Sequence, residues 1–213
     1  MTDRALASPP VEFIDMSAAV WQRVDVAHGL GYGHIRGGAD GFRLQASEIV
    51  HDGGLAYSVA FAVETDAEWA TTSVYVEATD SAGSRELGLT RWPDGAWRSQ
   101  GHDLPNLQGC VDVDVAATPV TNTLPIRRVR LEVGQVADLR MAWVDVPSLQ
   151  ARPSQQRYER LKPADGCDRY VYSDDVYGPY LLTMDQDGLV VDYEGLARRV
   201  WQEERPWIRD DQR

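Results

Sequence analysis

The sequence predicts a mostly β protein built on one meandering antiparallel sheet of many short strands, with one or two short helices. Three observations lead there. Apolar and polar residues alternate with a period of two in most of the patterned segments, as expected for strands with one face on a core. Turn-forming clusters recur between those segments at hairpin spacing: His51-Asp52-Gly53-Gly54, Asp80-Ser81-Ala82-Gly83, Pro93-Asp94-Gly95 and Asp185-Gln186-Asp187-Gly188. Long amphipathic helical stretches are scarce. A sheet of so many strands must curl, close or split into layers.

Taken in order, residues 29–33 (Gly-Leu-Gly-Tyr-Gly) read as a flexible loop in which Tyr32 and the adjacent His34 could serve as a lid. Alternation then places strands over 42–46, 57–63, 73–78, 86–92, 111–115, 129–133 and 139–146. Pro147 and Pro153 allow only a short helix, or a loop followed by a strand, within 145–162. Strands resume over 170–173, 180–184 and 189–193. Leu196, Val200 and the Arg198-Arg199 pair have helical spacing, which predicts one or two closing helical turns over 195–202. The charged tail after 203 reads as frayed. At least ten strands and no parallel βαβ unit are expected. No internal repeat or linker divides the 213 residues, so one domain over 1–213 is expected, with its core at about 11–202.

A formal charge of -12 and a pI near 4.7 argue against a broad surface for nucleic acid or anionic membrane. Cys110 and Cys167 are too few for a disulfide framework and read as reduced thiols. The start lacks a basic segment followed by an apolar run, and no apolar run approaches the roughly 20 residues that span a bilayer. A cytoplasmic protein is therefore expected.

Most catalytic motifs fail on inspection. The glycines at 29–33 have no following helix and no G-K-[ST] to hold a phosphate. The Asp185–Gly188 stretch opens like a calcium loop but lacks the later ligands, and so reads as a hairpin turn. His28, His34, His51 and His102 show no metal spacing, neither cysteine has a C-x-x-C partner, and no G-x-S-x-G elbow occurs. No cofactor and no metal are expected.

The stretch DVDVAATPVTNTLPIRR, residues 112–128, is richer. On a strand, Cys110, Asp112 and Asp114 share one face and Val111, Val113 and Val115 the other. Two aspartates so close together need donors or cations, and Arg127 and Arg128 return after a Thr/Asn/Pro-rich bend. Thr118-Pro119 and Leu124-Pro125 predict extended geometry before each proline. Two readings stay open. The bend is a charge network locked by Asp–Arg pairs, or it is a polar pocket whose carboxylates and amide take sugar hydroxyls while its arginines hold an anionic or hydroxyl group. A carboxylate pair for acid–base chemistry is the weakest reading, since neighbours on one strand cannot flank both faces of a bond. Seven tryptophans and nine tyrosines against three phenylalanines would suit sugar rings or lipid–water boundaries, and equally a β core.

Gly109 to Asp114, Thr118-Pro119, the T-N-T-L-P-I-R-R run from Thr121 to Arg128, Ala142-Trp143-Val144 and Tyr158-Glu159-Arg160-Leu161 together resemble the putative glycolipid-binding family. The resemblance runs from about Trp21 to Val200. It implies a half-barrel or spiral β-roll, similar in shape to periplasmic lipoprotein carriers that shelter acyl chains. The candidate ligand-binding residues are Asp112, Asp114, Thr121, Asn122, Arg127, Arg128, Trp143 and Tyr158. The chain has Glu194 and Ala197 where the family usually has a proline and an aromatic residue.

The expectation is thus a non-catalytic half-barrel whose apolar inner face takes the chain of a glycolipid or other amphiphile, with the Asp/Arg region at the polar end. The rivals are an enzyme acting on a small carbohydrate or lipid derivative through a cavity carboxylate or His34, and a ligand-free homodimer formed at a sheet edge. A long apolar cavity would favour the first reading, a small polar pocket with a strained His or Asp the enzyme, and a packed interior the ligand-free module.

Overall fold

The computed structural model describes residues 13–116 and 118–203. The expected frayed tail lies outside that range. The first eight strands are β1 (Ile14–Arg23), β2 (His28–Gly38), β3 (Gly41–Asp52), β4 (Leu55–Thr65), β5 (Thr71–Asp80), β6 (Gly83–Arg91), β7 (Trp97–Ser99) and β8 (His102–Asp103). A crossover follows β9 (Val113–Val115) and holds a 3-10 turn at Val120–Asn122 and the short helix α1 (Thr123–Val129). The chain then runs through β10 (Val136–Val144), β11 (Ala151–Ala164), β12 (Cys167–Asp174), β13 (Tyr180–Met184), β14 (Val190–Tyr193) and β15 (Ala197–Gln202).

All fifteen strands belong to one sheet, ordered β8-β7-β6-β5-β4-β3-β2-β1-β15-β14-β13-β12-β11-β10-β9. Two meanders, β1–β8 and β10–β15, meet where β1 pairs antiparallel with β15. The sheet has free edges at β8 and β9 and is not closed into a barrel. The predicted mostly β, curled, many-stranded class with a short helix is the one observed.

Five expectations are corrected. The sheet is mixed, because β9 and β10 run parallel, with Ala142 opposite Val113 and Val144 opposite Val115. A parallel pair needs a crossover of about a dozen residues or more, and the 116–135 segment supplies it with α1 inside. Leu124 is accordingly helical rather than extended, and the strand expected over 129–133 is the end of α1 and a turn. Pro125 falls in the first turn of α1, where a missing N–H removes no intrahelical bond.

Residues 29–33 are not a lid but part of β2, in register with β1 and β3. The glycines there are space for neighbours. A Cβ at residue 33 would lie 3.1 Å from the Trp21 ring and 3.2 Å from Val120, and one at 31 would lie 2.8 Å from Glu48 Cγ. Finally, 195–202 forms β15 instead of helical turns, because pairing with β1 and β14 overrides an ambiguous short spacing. The predicted loop followed by a strand within 145–162 is seen as β11, and 185–188 is the expected hairpin turn.

The curl of the sheet is filled from inside. Trp21, Leu44, Val63, Val76, Leu89 and Trp97 from the first meander pack with Val113, Val115, Val120, Leu124 and Val144 from the crossover and its flanking strands. The two buried indoles also satisfy their N–H groups, Trp21 on the Val190 carbonyl at 2.7 Å and Trp97 on the Cys110 carbonyl at 3.0 Å. A second cluster, rich in tyrosine, joins Tyr158, Tyr170, Tyr172, Leu182, Met184 and Tyr193 beneath Leu131. The apolar inner face is therefore occupied by the protein's own side chains.

Both cysteines are free. Cys110 is buried, and burial pushes its thiol pKa up; Cys167 is half-buried at the start of β12. A disulfide reagent such as DTNB at neutral pH should label one thiol, Cys167, in the native protein and the second only after unfolding. Rapid native labelling of both would contradict this packing.

Candidate functional site

At the end of the sheet where β1, β9, β10, β12 and β14 finish and β13 and β15 begin lies a cavity of about 420 Å³. Asp114, Asn122 and Trp143 line it from the crossover side, Tyr172, Tyr180 and Tyr193 from the second meander, and Arg23 and Asp25 from the end of β1. A wider depression of about 620 Å³ lies on the outer face, around Arg43, Tyr75 and Trp92, but it is more open to solvent.

The crossover places Asp114. Its carboxylate accepts from Thr121 Oγ1 at 2.8 Å and from Gln156 Nε2 at 2.6 Å, with no cation bonded to it among the described residues. Behind these partners, Asn122 Nδ2 donates to the Tyr158 hydroxyl at 2.9 Å, which donates to Gln156 Oε1 at 3.1 Å. A chain of neutral hydrogen bonds thus orients the Asp114 carboxylate. Burial raises the Asp114 pKa, the Thr121 and Gln156 bonds oppose that rise, and Asp174 adds to it. Burial also holds Tyr158, Tyr172 and Tyr193 far above the ordinary phenol range, so they remain protonated donors. The Tyr172 hydroxyl donates a hydrogen bond to Asp174 Oδ2 at 2.9 Å. Trp143 presents a ring with the Arg152 guanidinium 4.2 Å from its centroid.

The eight expected site residues separate into three groups. Asp114, Asn122 and Trp143 line the cavity, while Thr121 and Tyr158 stand behind it in the hydrogen-bond chain. Asp112 and Arg128 form a separate ion pair. Arg128 Nε lies 2.9 and 3.0 Å from the two Asp112 oxygens and its second nitrogen is 2.7 Å from Oδ2, with Asp112 at 0% exposure. Arg127 meets neither aspartate. Its guanidinium donates to the Asp187 and Gln186 carbonyls at 3.2 and 2.9 Å and lies over the Trp69 ring, clamping the 185–188 turn.

The readings of the bend thus divide by residue: Asp112–Arg128 is the charge network, and Asp114 with Asn122 belongs to the pocket. Sequence reasoning missed Arg23, Asp25 and the tyrosine wall. Its only signal for the wall was the tyrosine excess, including the i, i+2 pair Tyr170/Tyr172. His34 lies on the outer face, away from this cavity. Among the described residues no group of three or more His, Cys, Asp or Glu could hold a metal ion, and no helix is long and apolar enough to cross a membrane.

A profile of the family described as "Putative glycolipid-binding" matches residues 18–199. The chain belongs to that family. Every residue lining the strand-end cavity, from Arg23 to Leu196, falls inside the matched span. Among solved structures, the chain is similar to a DUF1089 family protein from Pseudomonas aeruginosa, with 31% identity and a TM-score of 0.68 over 80% of this chain and 92% of that one. A β-barrel-like protein of domain of unknown function DUF1849 from Brucella abortus shares the fold, with 10% identity and a TM-score of 0.50 over 91% of this chain and 98% of that one. No curated protein matches the sequence.

Proposed function

We propose that the strand-end cavity binds the polar headgroup of a glycolipid and that the protein acts by binding, without catalysis. The observation that carries this is the composition of one cavity: an oriented carboxylate, Asp114, bonded to no cation among the described residues, beside Asn122, the Trp143 ring and four tyrosines. Aromatic faces stack on the C–H faces of a sugar ring, while carboxylate, amide and phenol groups exchange hydrogen bonds with its hydroxyls. The volume suits a small polar group, not a long chain. Because the inner face of the sheet is filled, the acyl part would lie outside, near the exposed Val24, Val176 and Tyr177 at the cavity mouth.

Calorimetry with octyl glucoside below its micelle concentration tests this directly. Wild-type protein should bind it, and Trp143→Ala should weaken binding at least about tenfold, the effect of truncating a ring that stacks on the ligand. Absence of binding to octyl glucoside, or unchanged affinity in the Trp143 variant, would count against the headgroup reading.

A further inference from the structure

Behind the Arg23 wall of the cavity lies a carboxylate that the headgroup contacts leave unused. Glu48, on β3, is 3% exposed and faces Gly31 on β2, whose missing side chain makes room for it. Arg23 bridges inner and outer acids. Its Nε and one terminal nitrogen lie 2.8 and 2.5 Å from the two oxygens of Asp25 at the cavity, and its other terminal nitrogen is 3.4 Å from Glu48 Oε2. Thr118 acts to lower the Glu48 pKa, and Arg23 and Glu48 both act on that of Tyr57 on β4. Among the described residues, the charged or titratable groups acting on this carboxylate include Arg23 and Asp25, from β1 and the turn after it, and Tyr57 from β4, while the residue of β2 opposite it is Gly31.

A charged pair so deeply buried gains little stability over an apolar pair of similar size. A glycine kept clear for it, directly behind a cavity wall, points to a role at the cavity. We propose that Glu48 is a positioning residue for the headgroup cavity: its carboxylate holds the Arg23 guanidinium back against the wall, and a proton taken up by Glu48 lets that guanidinium turn to a bound headgroup. This rests on the headgroup reading above. The proton comes from solvent and goes to a Glu48 oxygen, and no other bond changes. Burial raises the Glu48 pKa to about 7, with Arg23 opposing the rise, so the carboxyl changes charge near neutral pH.

A ligand that takes over an Arg23 N–H favours protonated Glu48, so binding takes up protons and is tighter at low pH. A coupling of half a pH unit corresponds to about threefold in affinity. Two measurements test this. In the ligand-free wild type, the Arg23 Nε–H signal in nitrogen-15 NMR should move between pH 5.5 and 8.5 with a midpoint near pH 7. Octyl glucoside should bind about threefold more tightly at pH 6 than at pH 8, and Glu48→Gln should bind at both values with the low-pH affinity of the wild type. An Arg23 signal that does not move, or a pH dependence that survives in Glu48→Gln, overturns the proposal. If octyl glucoside fails to bind at any pH, the headgroup reading falls, and the Arg23 titration still decides whether Glu48 sets the position of the guanidinium.

Discussion

Arg128→Ala is expected to cost about 3–5 kcal/mol of folding stability, the effect of leaving a buried ion without its partner. Asp112 is 0% exposed and, among the described residues, Arg128 is the cation bonded to it, gripping both oxygens. Burial already pushes the Asp112 pKa up and outweighs the opposing Arg128 contribution, so a carboxylate stripped of that arginine would be strongly disfavoured. For a chain of this length the loss corresponds to a melting temperature lower by about 6–20 °C. The neighbouring Arg127→Ala should cost only about 1 kcal/mol, since it removes two carbonyl bonds and a contact over Trp69 without orphaning a charge. An Asp112→Ala, Arg128→Ala double variant should lose less than the two single losses added together. Urea titration of the four proteins checks this. A loss below 1 kcal/mol in Arg128→Ala, or equal losses for the two arginines, would sink the assignment.

The second large effect is a fall of stability as the pH rises through neutrality. Glu48 has a native pKa of about 7 against 4.5 for the free group, so between those values the folded state holds a proton that the unfolded state has released. Stability falls with pH wherever the native state binds more protons. The contribution is fully present below about pH 4.5 and lost above about pH 7, and between pH 5 and 8 it amounts to about 2–3 kcal/mol. Asp112 and Asp114, with pKa values raised by burial, act in the same direction. Asp80 acts oppositely: its pKa is lowered by Arg85, so its contribution is lost only on acidification. Urea unfolding at pH 5 and pH 8 should show the wild type weaker at pH 8, with a clearly smaller difference in Glu48→Gln. A wild type that is more stable at pH 8 would refute the burial of a titrating Glu48.

Much of this was legible in the residue order. Period-two alternation and turn chemistry are local, and they identified strands such as 57–63 and 73–78 and the 185–188 turn. A glycine-rich strand carries almost no such pattern, so β2 read as a loop until Trp21, Glu48 and Val120 were seen packed against it. In the site, two aspartates on one strand demanded compensation, and one Asp–Arg pair supplied it. Which aspartate took an arginine was not legible. Register with β10 and the turn of α1 put Arg128 on Asp112 and sent Arg127 to the 185–188 turn.

By itself, then, the sequence determined that the chain is a many-stranded β protein with a polar, charge-bearing bend between strands, because alternation, turn residues and charge demand are properties of neighbours in the chain. Only the tertiary structure decided that β9 and β10 run parallel, that β15 closes on β1, and that Arg23, Asp114 and Tyr193 meet around one cavity. Strand direction depends on what the connecting segment packs against. A cavity depends on which side chains fail to fill a space, and residues 23, 114 and 193 share that space only once the sheet has curled.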